Sequence, residues 1–154
     1  MTLISSLTKK ELITINNDSK TIEEFFTNAS DILMERGYVK ESFFNAILER
    51  EKKYPTGLEM PKIVIAIPHT DVEHINEPFI FINRMNSNNL EFIQMGTDDV
   101  IVKPEYIIIL GINEKENQVG LLSGLMEVFD DEDFINELRN AEDEEQIYKL
   151  FIEK

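Results

Sequence analysis

The run Ile63-Val64-Ile65-Ala66-Ile67, halted by Pro68 and followed at once by His69, constrains this chain more than any other stretch. Consecutive apolar, mostly β-branched residues offer water no polar face, so they suit a strand covered on both sides. Pro68 has no amide donor and is expected to end the hydrogen-bonded ladder. His69 then sits just past the carboxyl end of a central strand, where open α/β sheets place their ligands. A second run, Tyr106-Ile107-Ile108-Ile109-Leu110, and the segment Pro78 to Met85 predict two more strands.

A sheet buried on both faces needs helices, and the helical spacing supplies them. Ile22, Phe25, Phe26, Ala29, Ile32 and Leu33 predict one, stopped near Gly37. Phe43, Phe44, Ile47 and Leu48 predict a second from about Lys40, running into Glu49-Arg50-Glu51-Lys52-Lys53. Val119, Leu122, Leu125, Met126 and Phe129 predict one apolar face of a third, from about Glu116. Asp131 or Asp133 caps a short helix through Leu138, and a last helix from Asp143 buries Ile147, Leu150 and Phe151. Glu11 to Asn16 is the expected first strand, after a short lead-in over residues 1–10. Asn86-Ser87-Asn88-Asn89 predicts a turn that sends Leu90 to Met95 back as a paired strand. The expectation is an α/β fold, a mixed β-sheet covered by helices on both faces, with residues 1–154 as one domain.

Composition removes several function classes. With no cysteine there is no disulfide, no thiolate catalysis and no Cys-ligated zinc. A net charge of −15 argues against nucleic acid and against an anionic membrane surface. No run reaches transmembrane length and the first ten residues lack a signal-peptide pattern, so a cytoplasmic protein is expected. From Gly111 to Lys154 there are 13 acidic and 4 basic residues, so −9 of the charge lies there, a solvated surface or a rim for a basic partner.

The residues alone leave His69 open between ligand, base, nucleophile and filler. His69, Asp71, Glu73 and His74 are close in sequence, but one short loop wraps an ion tetrahedrally only with difficulty, and no metal is expected. Arg50 either complements its helix dipole or offers a guanidinium fork to a phosphoryl group. Glu51, Lys52 and Lys53 read as surface charge. Thr56-Gly57 is a turn, or a hydroxyl and close backbone approach near an anion. No nucleotide-binding glycine pattern is present, and no cofactor is expected.

Two stretches, taken together, resemble a known family. Ala46-Ile47-Leu48-Glu49-Arg50-Glu51-Lys52-Lys53-Tyr54-Pro55-Thr56-Gly57 and Ile65-Ala66-Ile67-Pro68-His69-Thr70-Asp71 resemble enzyme IIA of the phosphoenolpyruvate-dependent sugar phosphotransferase system. The match is to the fructose/mannitol superfamily and most closely to its galactitol-type branch. The resemblance implies that His69 accepts a phosphoryl group from the carrier protein HPr and passes it to a IIB component, which serves the membrane IIC component. It implies that Arg50 contacts the phosphoryl group and that His74 matches a loop histidine of galactitol-type relatives. Mannitol- and fructose-type members often carry a second histidine at the start of the helix after the last long strand, a place that falls here at Asn117-Gln118-Val119, with Gln118 the nearest equivalent. Glutamine holds no proton at neutral pH, which weakens a mannitol assignment. The other role the resemblance allows is a regulatory phosphoacceptor of the nitrogen-related type, acting by phosphorylation-dependent partner binding.

Overall fold

The computed structural model describes residues 2–87 and 89–154. In chain order its elements are α1 (Leu3–Leu7), β1 (Thr8–Asn17), α2 (Ile22–Glu35), α3 (Phe43–Lys53), β2 (Gly57–Glu59) and β3 (Val64–Ala66). A 3-10 turn (Val72–His74) leads to β4 (Phe79–Met85), β5 (Phe92–Ile93), β6 (Ile101–Val102) and β7 (Tyr106–Gly111). A second 3-10 turn (Lys115–Asn117) precedes α4 (Gln118–Val128), α5 (Glu132–Asn140) and α6 (Glu144–Ile152).

Five strands form one mixed sheet in the order β1-β4-β7-β3-β2. β1 runs parallel to β4 and β3 parallel to β7, while β4–β7 and β2–β3 are antiparallel. Alternate residues of β4 and β7 point to opposite faces, as the period of two requires. Ile80, Ile82, Ile108 and Leu110 pack with residues of α4, α5 and α6, among them Leu121, Leu125, Phe134, Leu138, Ile147 and Phe151. Phe79, Phe81, Ile107 and Ile109 pack with Phe25, Phe26, Leu33, Phe43 and Ile47 of α2 and α3. The apolar runs are therefore buried twice over, and the expected helix-covered mixed sheet is what forms.

Helices α2, α5 and α6 begin where the sequence offers caps. Thr21 accepts from the Glu24 amide, Asp131 from Asp133 and Phe134, and Asp143 from Gln146. The far end of α5 is closed from the sheet: Arg84 Nη1 donates to the Ala141 carbonyl at 2.8 Å, and the buried Tyr106 hydroxyl donates to the Leu138 carbonyl at 3.2 Å.

Four expectations need correction. Residues 1–10 are not a bare lead-in, because α1 occupies Leu3–Leu7 and β1 starts at Thr8. The segment after β4 does not return along it: β5 pairs with β6 in a separate two-stranded sheet, and β4 has β1 and β7 on its two sides. The polar turn suggests a hairpin, but β1 and β7 already occupy both edges of β4; Asn88 of that turn lies outside the described residues. β3 is second from the edge, and β7 is the middle strand. In α4 the buried face is Leu121, Leu125 and Val128, whereas Val119 is 73% exposed and Met126 is exposed. Nearly every side of that helix carries apolar residues, so periodicity fixed its existence but not its rotation.

The corrected rotation is testable. Leu121→Ala is expected to cost about 2–5 kcal/mol in urea unfolding, as for a buried leucine, while Val119→Ala stays within about 0.5 kcal/mol.

Candidate functional site

The site forms where the end of α3 meets the strand that carries His69. The ladder runs past β3 despite Pro68. Ile67 N–H donates to the Thr56 carbonyl at 3.2 Å, and Leu110 N–H donates to the Pro68 carbonyl at 3.0 Å. Proline removes only a donor, so its carbonyl continues the pairing with β7 and carries His69 into a bridge with Leu110. His69 thus lies at the carboxyl ends of the parallel pair β3 and β7, and it is buried at 7% exposure.

His69 Nδ1 is 2.9 Å from the Ile67 carbonyl. A carbonyl oxygen only accepts, so Nδ1 carries the hydrogen and, in the neutral ring, Nε2 holds the free lone pair. The ring is kept neutral chiefly by burial, which lowers its pKa. Arg50's charge lowers it further, while the Ile67 bond and Asp71 act in the opposite direction.

Arg50 lies in the last turn of α3, just before Tyr54, whose N–H closes the helix on the Arg50 carbonyl at 2.7 Å. Its guanidinium lies over the Tyr54 ring, 5.5 Å from the centroid, and Nη1 donates to Asp71 at 3.1 Å. Arg50 Nε is buried with no hydrogen-bond partner among the described residues. An orphaned charged donor of this kind is costly in a finished core and useful where an anion arrives.

A cavity of about 540 Å³ opens here, its wall including Arg50, Lys52, Lys53, Tyr54, Asp71 and His74. Thr70 completes it beside His69, which is not itself in the wall. His74 is held by its 3-10 turn: Nδ1 is 2.8 Å from the Ser42 hydroxyl, and its carbonyl accepts the Lys40 N–H. His69, Arg50 and His74 are therefore gathered at one place, with Lys52 and Lys53 as two further cations and Tyr54, Glu49 and Asp71 around them.

Thr56 and Gly57 stand behind this surface. The Thr56 N–H and hydroxyl both donate to the Glu51 carboxylate at 2.7 Å. A Cβ on Gly57 would meet the Ile93 carbonyl oxygen and Val102 Cγ2 at 2.6 Å, so glycine is required there by close approach of β5 and β6. Gln118 opens α4 half-buried and is not in the cavity wall. Among the described residues, no three His, Asp or Glu side chains are grouped to hold a metal ion.

Two participants escaped the sequence reading. Glu51 is no surface charge: it is 5% exposed, and burial pushes its pKa up to about 7, against the two Thr56 bonds and the Arg50 charge. Its signal was available, since it follows Phe43 and Ile47 at four-residue steps on the buried stripe of α3. Asp71 as the partner of Arg50 had no local signal, the two being 21 residues apart.

A family model described as "Phosphoenolpyruvate-dependent sugar phosphotransferase system, EIIA 2" matches residues 6–154. The chain belongs to that family. Within it, this EIIA protein is 28% identical over 115 residues to the galactitol-specific EIIA component of Escherichia coli, covering 75% of each chain. Its fold matches the mannitol-specific enzyme IIA of Escherichia coli, solved in complex with phosphorylated enzyme IIB, at 25% identity and a TM-score of 0.72, covering 96% of this chain and 100% of that one. The nitrogen regulatory protein IIA-Ntr of Neisseria meningitidis shares the fold at 21% identity and a TM-score of 0.75, over 97% and 99% of the two chains. EIIA components transfer phosphoryl groups, which makes this protein a phosphotransferase of the galactitol/mannitol type. No described helix is long and apolar enough to cross a membrane.

The two buried groups predict opposite pH responses. His69, with a lowered pKa, favours the fold when neutral, so its stabilisation fades as pH falls below the ordinary histidine value of 6.5. Glu51 favours the fold when protonated, so its contribution fades as pH rises from 4.5 through about 7. Unfolding of the native protein against Glu51→Gln is expected to show an advantage that shrinks over that window. An NMR titration should give His69 an apparent pKa below 6.5.

Proposed function

We propose that this protein is the phosphocarrier between HPr and a IIB component of a galactitol-type sugar phosphotransferase system, with His69 as the acceptor. The observation that carries the reading is the tautomer. Nδ1–H on the Ile67 carbonyl leaves Nε2 unprotonated, in a site where Arg50 Nε lacks a partner.

The chemistry needs positioning and charge compensation rather than an elaborate acid–base relay. Nε2 attacks the phosphorus of phosphohistidine on HPr, forming an N–P bond as the donor's N–P bond breaks. The donor imidazole leaves with that electron pair. The His69 ring then carries positive charge, and the hydrogen kept on Nδ1 lets the Ile67 carbonyl stabilise it. Arg50 releases part of its hold on Asp71 and offers Nε and Nη1 to the phosphoryl oxygens. With Nδ1 still protonated, the ring is a good leaving group. The phosphoryl group moves to a nucleophilic cysteine or histidine of IIB and His69 returns to neutral. Lys52 and Lys53 of the cavity wall lend further positive potential to the incoming group, with His74 beside them. Thr56 and Gly57 hold the strand. IIC is reached only through IIB.

The solved complex of mannitol-specific IIA with phosphorylated IIB supports the IIB partner, and the galactitol-specific relative supports the branch. The nitrogen regulatory protein shares only the fold. Transfer to a IIB protein separates the two roles, since a purely regulatory acceptor would hold its phosphate in the presence of IIB.

Purified protein is expected to take label from phosphoenolpyruvate only with enzyme I and HPr present, and to release it to a galactitol-type IIB. His69→Ala should take none; undiminished labelling of that variant would reject the assignment. Arg50→Ala is expected to slow transfer about 10²-fold while unfolding changes by about 1 kcal/mol or less, because its ion pair with Asp71 is open to water.

A further inference from the structure

Glu51 is a buried carboxylate one residue from Arg50, and among the described residues it forms no ion pair with a cation of the cavity. Oε2 accepts the Thr56 N–H and Oε1 the Thr56 hydroxyl, each at 2.7 Å. The chain of bonds continues in one direction. The Thr56 carbonyl accepts the Ile67 N–H, and the Ile67 carbonyl accepts His69 Nδ1–H. The peptide between Ile67 and Pro68 has no amide hydrogen, so nothing on its nitrogen side can orient the Ile67 carbonyl. Its direction depends on the strand around it, and at Ile67 the strand is anchored to Thr56 alone on that side.

We propose that Glu51 is a positioning residue for transfer: acting through Thr56, it holds the Ile67 carbonyl on His69 Nδ1 and so keeps Nε2 free, while fixing the turn of α3 that presents Arg50. The inference rests on the reading of His69 as phosphoryl acceptor, and it assigns Glu51 no contact with the transferred group. The geometry explains why a carboxylate stands at a core position of α3. An apolar residue would fill the volume, but it would leave the Thr56 N–H and hydroxyl without acceptors and remove the side-chain tie between α3 and Thr56. It also explains why burial is tolerated: two short bonds satisfy both oxygens, and the pKa near 7 lets the group be neutral part of the time.

The test combines long-range proton–nitrogen NMR of the His69 ring, which reports the nitrogen bearing hydrogen, with steady-state transfer from phospho-HPr. In the native protein the Nδ1–H form should dominate. In Glu51→Ala the Nε2–H form should grow, and kcat should fall about tenfold with KM for phospho-HPr within about twofold. Glu51→Gln should recover most of both, since its amide can accept the Thr56 N–H and donate to the hydroxyl oxygen. If Glu51→Ala does not fold, Thr56→Val deletes one bond of the pair and should show the same two changes, smaller in size. A folded Glu51→Ala with the native tautomer overturns the proposal, as does a Thr56→Val protein unchanged in both readouts. A tautomer shift in a protein that never takes phosphate would reject the acceptor reading, and with it the role in transfer, while leaving Glu51's hold on the His69 tautomer.

Discussion

Burial of β4 and β7 on both faces is the constraint on which the remaining architecture depends. Phe79 to Ile82 and Ile107 to Leu110 are each at most 1% exposed, which only helices on both sides can achieve. Once α2 and α3 cover one face and α4 to α6 the other, the strand ends are the places left where polar chemistry can reach solvent. The pair β3 and β7 ends at His69 and Leu110, and α3 terminates against the same edge. The site is a by-product of closing the core.

At that edge the energetics are a balance of partly met demands. Arg50 divides its charge among a tyrosine face, an aspartate and an orphaned Nε, so no single partner holds it strongly. His69 is desolvated yet retains one good bond that chooses its tautomer. Such arrangements are poor as structural ion pairs and good as receptors for an anion that comes and goes, because binding repairs the deficits already present.

How much of this was legible in the sequence depended on range. The runs at Ile63 and Ile107 revealed two-sided strands because a packed sheet leaves no other use for them. His69 and Arg50 stood out through the spacing of their motifs, and both reached the same site. Where the signal was local but distant competition set the outcome, the structure departs from the pattern. β5 lost β4 to β1 and β7, and α4 turned its Leu121 side inward although Val119 and Met126 were equally apolar. Glu51 was misread for a different reason: charge normally means surface, and only its acceptor role for a threonine five residues on reverses that rule.

The uneven distribution of charge has a consequence of its own. The final third of the chain, carrying −9, is folded into α4, α5 and α6 on one face of the sheet, while Arg50, Lys52 and Lys53 close α3 on the other. Acid concentrated on one face, against a mixed Glu49-Arg50-Glu51-Lys52-Lys53 cluster on the other, gives the molecule a permanent moment in addition to its net charge. A charged body approaching through water is then turned as well as attracted or repelled before any contact forms, and the angle at which it first touches is set by the field.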